Sequence, residues 1–515
     1  MGQMRFTVDP PDRLTEDRAA AAFLAGIDRV PWRTRVSVEQ GVGAAGGPGS
    51  DARGGAKQLV LERPISDSGC LNLPWPVEPF GELMLATSSL RERDEPYLLP
   101  LELARGTLYR AREQLADWRA ARLAVPAAVE KAFEGARHTF AQAAVSQQDR
   151  TRCGAVAEQS IRQTLEAAQT LVAAYVEQSI TIRRRGGGRL SSLLGVDLGE
   201  NLLDEAVGSA VLRGFNMACV PLRWRAVEGV EGTRRFAVPD RQIQWCRRHG
   251  LKCFAGPLLR FHPAALPDWL ALWEGDVENV VDCLTEFIET IIRRYRGKVD
   301  AWVAAAQIAT GDVLGLGEQE KLNITARVLE LLQRGDPGCP RLIAFDEPWA
   351  DYMGRRDADL PPLHMADALL RAGLDISGIV LEINVGRPPA AQWPRPAFET
   401  GRLLDLWSGL GVPIYVSISA PSDPVPDPRA RRGTAAPPPS GIATSPGRWS
   451  PRAQQAWAAH HVPLMLAKPN VKGVVWNRLL DSAPGESQPV GLFDEASKPK
   501  PALRTLAALR RTHLK

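Results

Sequence analysis

Apolar and polar positions divide the chain into three stretches of different period. Up to about residue 110 the apolar residues come in short runs, MRFTV, TRVSV, QLVLER and GELMLAT, with turn-forming residues between them. That is a strand pattern, and 1–110 is expected to be a small β-rich module. Within it GVGAAGGPGSDARGGA (41–56) is rich in Gly and Ala and reads as a mobile loop. From 111 to 188 the period becomes helical. ELARGTLYRAREQLADWRAARL and the stretch 155–179 have helical spacing in Ala-, Glu-, Gln- and Arg-rich text. Two or three amphipathic helices follow from this spacing. RRRGGG (183–188) closes the helical connector and reads as a solvated linker.

From 189 to 515 short continuous apolar runs alternate with helical patterns. The runs are SLLGVDL (192–198), FNMACV (215–220), LKCFAG (251–256), AWVAAA (301–306), RLIAFD (341–346), GIVLEI (378–383), PIYVSI (413–418) and GVVWN (473–477). Strands buried on both faces read as continuous apolar runs. Eight strand–helix units predict an α/β chain ending in a (β/α)8 TIM barrel. The competing doubly wound sheet lacks its GxGxxG or P-loop after a strand. The seventh strand–helix connection, 419–451, is rich in Pro and Arg and far longer than the usual two to six residues. It lies on the face where barrel active sites form, and a lid and a disordered loop both fit its composition.

Composition then narrows the classes. The 515 residues are 44% hydrophobic and 24% charged, which excludes bulk disorder. Lys and Arg number 63 against 59 Asp and Glu, too even for a dedicated nucleic-acid binder. The seven cysteines are odd in number and form no CxxC pair, so neither a disulfide framework nor a zinc cluster is expected. MGQMRFTVDPPDR has no apolar signal core, and no run of about 18 apolar residues exists. No membrane span is expected, and the default location is the cytoplasm.

In a barrel, reactive groups stand at the C-terminal ends of the strands. Those ends carry Asp197; Arg223 and Trp224; Arg260, His262, Asp268 and Trp269; Gln307 and Asp312; Asp346, Glu347 and Trp349; Glu382 and Asn384; Ser417 and Ser419; and Trp476, Asn477 and Asp481. Carboxylates and Trp rings around one mouth suit a polyol, which offers ring faces for stacking and hydroxyls for hydrogen bonds. Only His262 lies near a strand end and no HxH or HExxH spacing occurs, so neither a metal nor another cofactor is expected.

Several of these segments resemble glycoside hydrolase family 10, the β-1,4-xylanases. HGLKCFAGPLLRFHPAALPDWL (249–270) is similar to the family's strand-3 signature, with His262 at its final His and Pro257 in place of the first. YRGKVDAWVAAAQ, RLIAFDEPW, GIVLEIN, LGVPIYVSIS, GVVWNRLLDSAP and GLFDEASKPKPAL resemble later family motifs in the right order, over roughly 190–512. The resemblance implies a barrel acting on a β-linked, xylan- or glucan-type saccharide. It also implies that the β-rich module could be a carbohydrate-binding accessory.

The same alignment exposes departures. Family members retain configuration with two Glu, an acid/base after strand 4 and a nucleophile on strand 7, about 5–5.5 Å apart. Those positions here are Gln307 and Ile418, which can neither donate a carboxylic proton nor attack an anomeric carbon. Glu382, with Asp346 or Glu347, is the alternative catalytic set, and Arg223, Arg260 or Arg387 are candidate counter-ions for Glu382. His262, Gln307, Asn384, Trp476, Arg223 and Trp224 are the expected substrate-binding residues. Asp197 reads as a helix cap, and Trp302 and Asp481 read as structural. Three functions stay open: a hydrolase with relocated carboxylates, a saccharide-binding pseudoenzyme, and an interaction protein working through its helical segment.

Overall fold

A computed structural model describes residues 2–40, 56–184, 188–386, 392–423, 449–481 and 489–515. The Gly-rich run 41–55 and most of the long connection, 424–448, lie outside the described residues, as does Arg387.

The first eight strands are β1 (Gly2–Val8), β2 (Phe23–Ala25), β3 (Pro31–Trp32), β4 (Arg35–Gln40), β5 (Lys57–Arg63), β6 (Cys70–Val77), β7 (Gly81–Ala86) and β8 (Tyr97–Leu98). They form two four-stranded sheets, ordered β4-β5-β1-β8 and β3-β2-β6-β7. The short helix α1 (Glu16–Ala20) is capped by Thr15, whose hydroxyl accepts from Arg18 N–H. Three long helices follow: α2 (Leu99–Ala120), α3 (Ala127–Val145) and α4 (Arg150–Arg184). Met4, Phe6, Leu61, Leu73 and Trp75 from the sheets share one core with Leu103, Phe133, Ile161 and Leu171 from the helices. The helices therefore cover the apolar faces of the sheets, and α2 begins at Leu99, inside the stretch read as β-rich.

The eight apolar runs all become parallel strands: β9 (Leu193–Asp197), β10 (Met217–Val220), β11 (Lys252–Ala255), β13 (Ala301–Ala306), β14 (Arg341–Asp346), β15 (Gly378–Asn384), β16 (Ile414–Ser419) and β17 (Val471–Trp476). A two-residue strand, β12 (Leu259–Arg260), continues the third run and pairs with the upper end of β13. The order β11-β10-β9-β17-β16-β15-β14-β13 closes through β11–β13 pairing, so the sheet is a barrel without free edges. The alternating helices are α5 (Glu205–Gly214), α6 (Trp224–Val227, a short extra turn), α7 (Ala237–Arg248), α8 (Val277–Tyr295), α9 (Glu318–Gly335), α10 (Pro362–Arg371), α11 (Ala397–Ser408), α12 (Pro451–Ala467) and α13 (Pro501–His513). Helix α8 shows how the sequence sets them: Asp276 caps it, and Val280, Leu284, Phe287, Ile288 and Ile291 form one buried stripe. The architecture is the (β/α)8 TIM barrel expected from the alternation.

Side-chain direction along the strands positions the site. Phe254, Val303, Leu342, Val380, Tyr415 and Val475 pack together inside the barrel. Side chains repeat on one face every second residue. The inward residues farther up are therefore Asp346, Glu382, Ser417 and Asn477. Ile414, Val416 and Ile418 instead join the layer shared with helix residues such as Leu403 and Leu404. Barrel helices also contribute Phe398 and Leu464 to the core of the N-terminal module, so the two parts are packed as one body.

Candidate functional site

The mouth is organised around Arg260, at the end of β12. Its Nη2 donates to Glu382 Oε1 at 2.8 Å and its Nη1 to Glu382 Oε2 at 3.3 Å. The same Nη1 donates to Gln307 Oε1 at 3.2 Å. The fork holds both oxygens of one carboxylate, the geometry in which a guanidinium is most effective. Burial alone would lower the Arg260 pKa; Glu382, helped by the charges of Asp346 and Asp197, more than offsets that, and the net shift is upward. Of the counter-ions proposed from sequence, the structure selects Arg260. Arg223 pairs with Glu200 at 3.3 Å instead.

Asp346 is the register partner of Glu382 on the neighbouring strand. Burial, and then the Glu382 charge, raise its pKa to about 6, against the opposing hydrogen bond from the Thr310 hydroxyl and the charge of Arg260. Its Oδ1 is buried with no hydrogen-bond partner. Glu347 is pushed up to about 7, mainly by burial and then by Asp351 and Asp346, with Arg355 and Arg356 opposing. Its Oε2 is likewise buried without a partner. Glu347 and Gln307, each following a strand directly, have φ of 41° and 55°. That left-handed conformation is uncommon outside glycine and is concentrated at functional loops.

Asn384 closes the β15–β16–β17 side of the mouth. Its Oδ1 accepts from the Ser419 hydroxyl at 3.0 Å and from Asn477 Nδ2. Sequence reading selected Asn384 but missed Ser419 and Asn477 as its partners. Asp197 Oδ1 accepts from Gly199 N–H at 2.8 Å, forming a turn, while the cap of α5 is Asp204. Burial raises the Asp197 pKa, opposed by that bond and then by Arg223, Arg260 and Arg478.

Other expected ligand contacts are placed differently. Trp476 points out of the barrel: it is 1% exposed, meets Trp457 edge-on and donates Nε1–H to Val490 O at 2.9 Å. It is a core residue of the strand–helix layer, and Asn477 takes the inward position expected of it. Trp224 is buried too, stacked on Phe287, with its indole donating to Glu228 Oε2 at 3.1 Å. Trp302 donates to Asp336, and Asp481 pairs with Lys500 at 2.5 Å, both as structural groups. His262 is exposed, and its Nδ1 accepts from Ala264 N–H at 3.1 Å, capping the turn that follows.

Ile418 requires a larger correction. It is fully buried on the outward face of β16. A one-residue shift along a strand reverses the face, so no group at 418 would reach the mouth. The inward residues there are Ser417 and Ser419, and neither is a carboxylate. Among the described residues no cluster of three or more His, Cys, Asp or Glu is placed to hold a metal ion, and no helix is long and apolar enough to cross a membrane.

The ends of β10 through β13 lie in the segment that comparison with known families singles out. Residues 199–311 match the model of glycosyl hydrolase family 10. Among the solved structures similar to the chain are xylanases of that family. Native xylanase 10B from Thermotoga maritima is 14% identical, with 65% of this chain and 97% of that one covered at a TM-score of 0.47. Xylanase 10B from Thermotoga petrophila in complex with xylobiose is 15% identical, covering 66% and 97% at 0.47. The family 10 protein from Paenibacillus barcinonensis is 16% identical, covering 63% and 96% at 0.44. No curated protein matches the chain.

Proposed function

We propose that the mouth of this family 10-like barrel binds a β-linked saccharide of the xylan or glucan type without the family's double-displacement hydrolysis. The observation that carries this reading is the fork between Arg260 and both oxygens of Glu382. Double displacement needs a proton donor and a nucleophile on opposite sides of the glycosidic bond. Here Gln307 occupies the expected donor position, and β16 turns Ser417 and Ser419 inward. Glu382 and Asp346 stand side by side on adjacent strands, in register, and so line one wall rather than straddling a ligand. What remains is a set of hydrogen-bonding groups suited to sugar hydroxyls: Gln307, Asn384, Asn477, Ser417 and Asp346.

A second reading is favoured by Asp346 alone. A carboxyl with a pKa of about 6 is largely protonated in mild acid and has one oxygen without a partner. That is the equipment of a general acid. Cleavage with inversion would further require a base on the opposite wall to take the proton of the attacking water.

Both readings are tested by titrating the full chain with xylobiose, longer xylo-oligosaccharides and cello-oligosaccharides, following melting temperature and reducing-end release together. Binding is expected as a ligand-dependent rise in Tm, lost in Asn384→Ala, with no release of reducing ends. Release abolished by Asp346→Asn would replace the first reading with the second. Neither a Tm shift nor release with any β-linked oligosaccharide would overturn both.

A further inference from the structure

A polar cavity lies where the N-terminal module meets the barrel. Its walls include Asn72 and Met84 from the sheets, Thr107 and Arg110 from α2, and Arg395 and Glu399 at the start of α11. The backbone is fixed across this seam, with Met84 N–H donating to Pro394 O at 2.8 Å.

Two groups in the wall are left without partners. Thr107 Oγ1 and Arg395 Nη1 are both buried and make no hydrogen bond. The other end of the Arg395 guanidinium is fully used, with Nη2 at 2.8 and 3.0 Å from the two oxygens of Asp351. Its side chain is 8% exposed, so bulk water does not satisfy Nη1. An unmet buried donor is costly, more so when charged, which favours a guest in the cavity.

Charge selects the kind of guest. Arg110 and Arg395 line the cavity, with Arg402 and the half-exposed Arg29 behind them. Facing these four are Glu399, Asp351 and Glu113. Both oxygens of Glu399 are held by Arg110, at 2.6 and 2.7 Å, so that carboxylate is neutralised where it borders the cavity. Arg402 and Arg29 share Glu113, at 2.5 and 3.9 Å. With Arg110 matched by Glu399 and Arg395 by Asp351, the surplus positive charge of the group sits on Arg402 and Arg29, just behind the cavity wall.

Size selects further. The space open to the centre of a water-sized guest is about 20 Å³. That admits one small ion or a water and no organic anion. We propose that the cavity is a site for a single small inorganic anion of the halide class, held by Arg395 Nη1 and Thr107 Oγ1, which seals the N-terminal module onto the barrel. The guanidinium supplies charge, and the hydroxyl rotates to donate as the second ligand.

The test uses the full chain. Melting temperature is measured against sodium chloride and sodium bromide, with sodium gluconate holding ionic strength constant. The expected result is a rise of a few degrees that saturates as for one site with chloride and bromide. That increment should vanish in Thr107→Val, which keeps the shape of the side chain and every arginine. Arg395→Met should also abolish it, although losing the partner of Asp351 lowers its baseline stability. Bromide-soaked crystals are expected to show one anomalous peak between Thr107 and Arg395. Equal increments in wild type and Thr107→Val, or a water in place of the bromide peak, would overturn the site.

Discussion

Arg260 and Glu382 are joined across the barrel mouth by two charge-assisted hydrogen bonds, although 122 residues separate them in sequence. The Glu382 side chain is 9% exposed and that of Arg260 26%. The pair is therefore screened only in part.

Removing the cation tests this directly. Arg260→Met leaves the buried Glu382 side chain without its partner, with an expected loss of about 3 kcal/mol at neutral pH. Glu382→Gln combined with Arg260→Met should recover a large part of that loss, because the double variant buries no charge. Urea denaturation of the wild type, both single variants and the double variant yields the coupling energy. Additive losses would mean that the pair does not hold in solution.

Stability should fall as pH rises through the range of Asp346 and Glu347. Their folded pKa values, about 6 and about 7, lie above the ordinary carboxylate range. Between about pH 4 and pH 7 the folded protein therefore binds more protons than the unfolded chain, and folding weakens with increasing pH. The penalty is absent below the unfolded values and complete above the folded ones. Each of these displacements is worth on the order of a few kcal/mol. Asp346→Asn and Glu347→Gln should each flatten the decline and raise Tm at pH 8. Identical pH profiles for wild type and both variants would contradict these environments.

The two faces of β16 can be told apart by paired substitutions. Ile418→Glu places a carboxylate among the apolar side chains between barrel and helices, and should cost upward of about 3 kcal/mol or prevent folding. Ser417→Glu points into the mouth beside Glu382 and within the field of Arg260, so a loss of about 1–2 kcal/mol from carboxylate repulsion is expected. Soluble yield and denaturation midpoints would rank them. The reverse order would place Ile418 inward and reopen it as a reactive position.

The seam between helices and barrel has its own test at Lys468. Its Nζ lies 2.6 and 2.8 Å from the oxygens of Asp405, and 4.9 and 5.4 Å from the centres of the Tyr175 and Trp118 rings. Those rings stack at 4.1 Å. Asp405 is half exposed and can rehydrate, so most of the cost of Lys468→Met comes from the lost cation–ring contacts, about 1–2 kcal/mol. Hydrogen exchange should quicken in α4 near Tyr175 while the barrel strands stay protected. Unchanged exchange there would mean that Lys468 does not secure the seam.

Much of the barrel was legible because of how its strands are buried. β13, AWVAAA, is covered inside and out, so its sequence is apolar without interruption. The helices between the strands keep a separable period and recognisable caps, such as Asp276. The N-terminal sheets were harder: β6, CLNLPWPV, carries two prolines and was not recognised as a strand. Its pairing with β7, from Asn72–Ala86 to Val77–Gly81, supplies what local propensity does not. Trp476 and Ile418 were recognised as strand residues but given the wrong face, since a continuous apolar run carries no mark of its inward side.

By itself, then, the sequence determined the order of elements, the barrel class and the list of polar residues at strand ends. Each of these follows from periodicity over a few neighbouring residues. Tertiary structure alone decided which of those polar residues meet. Closing the barrel sets the strand register, and register sets the inward face. That brings Arg260 to Glu382, Asn477 to Asn384 and Asp346 beside Glu382, while turning Trp476 and Ile418 toward the helices. Contacts between residues far apart in the chain depend on that closure, and no local pattern encodes them.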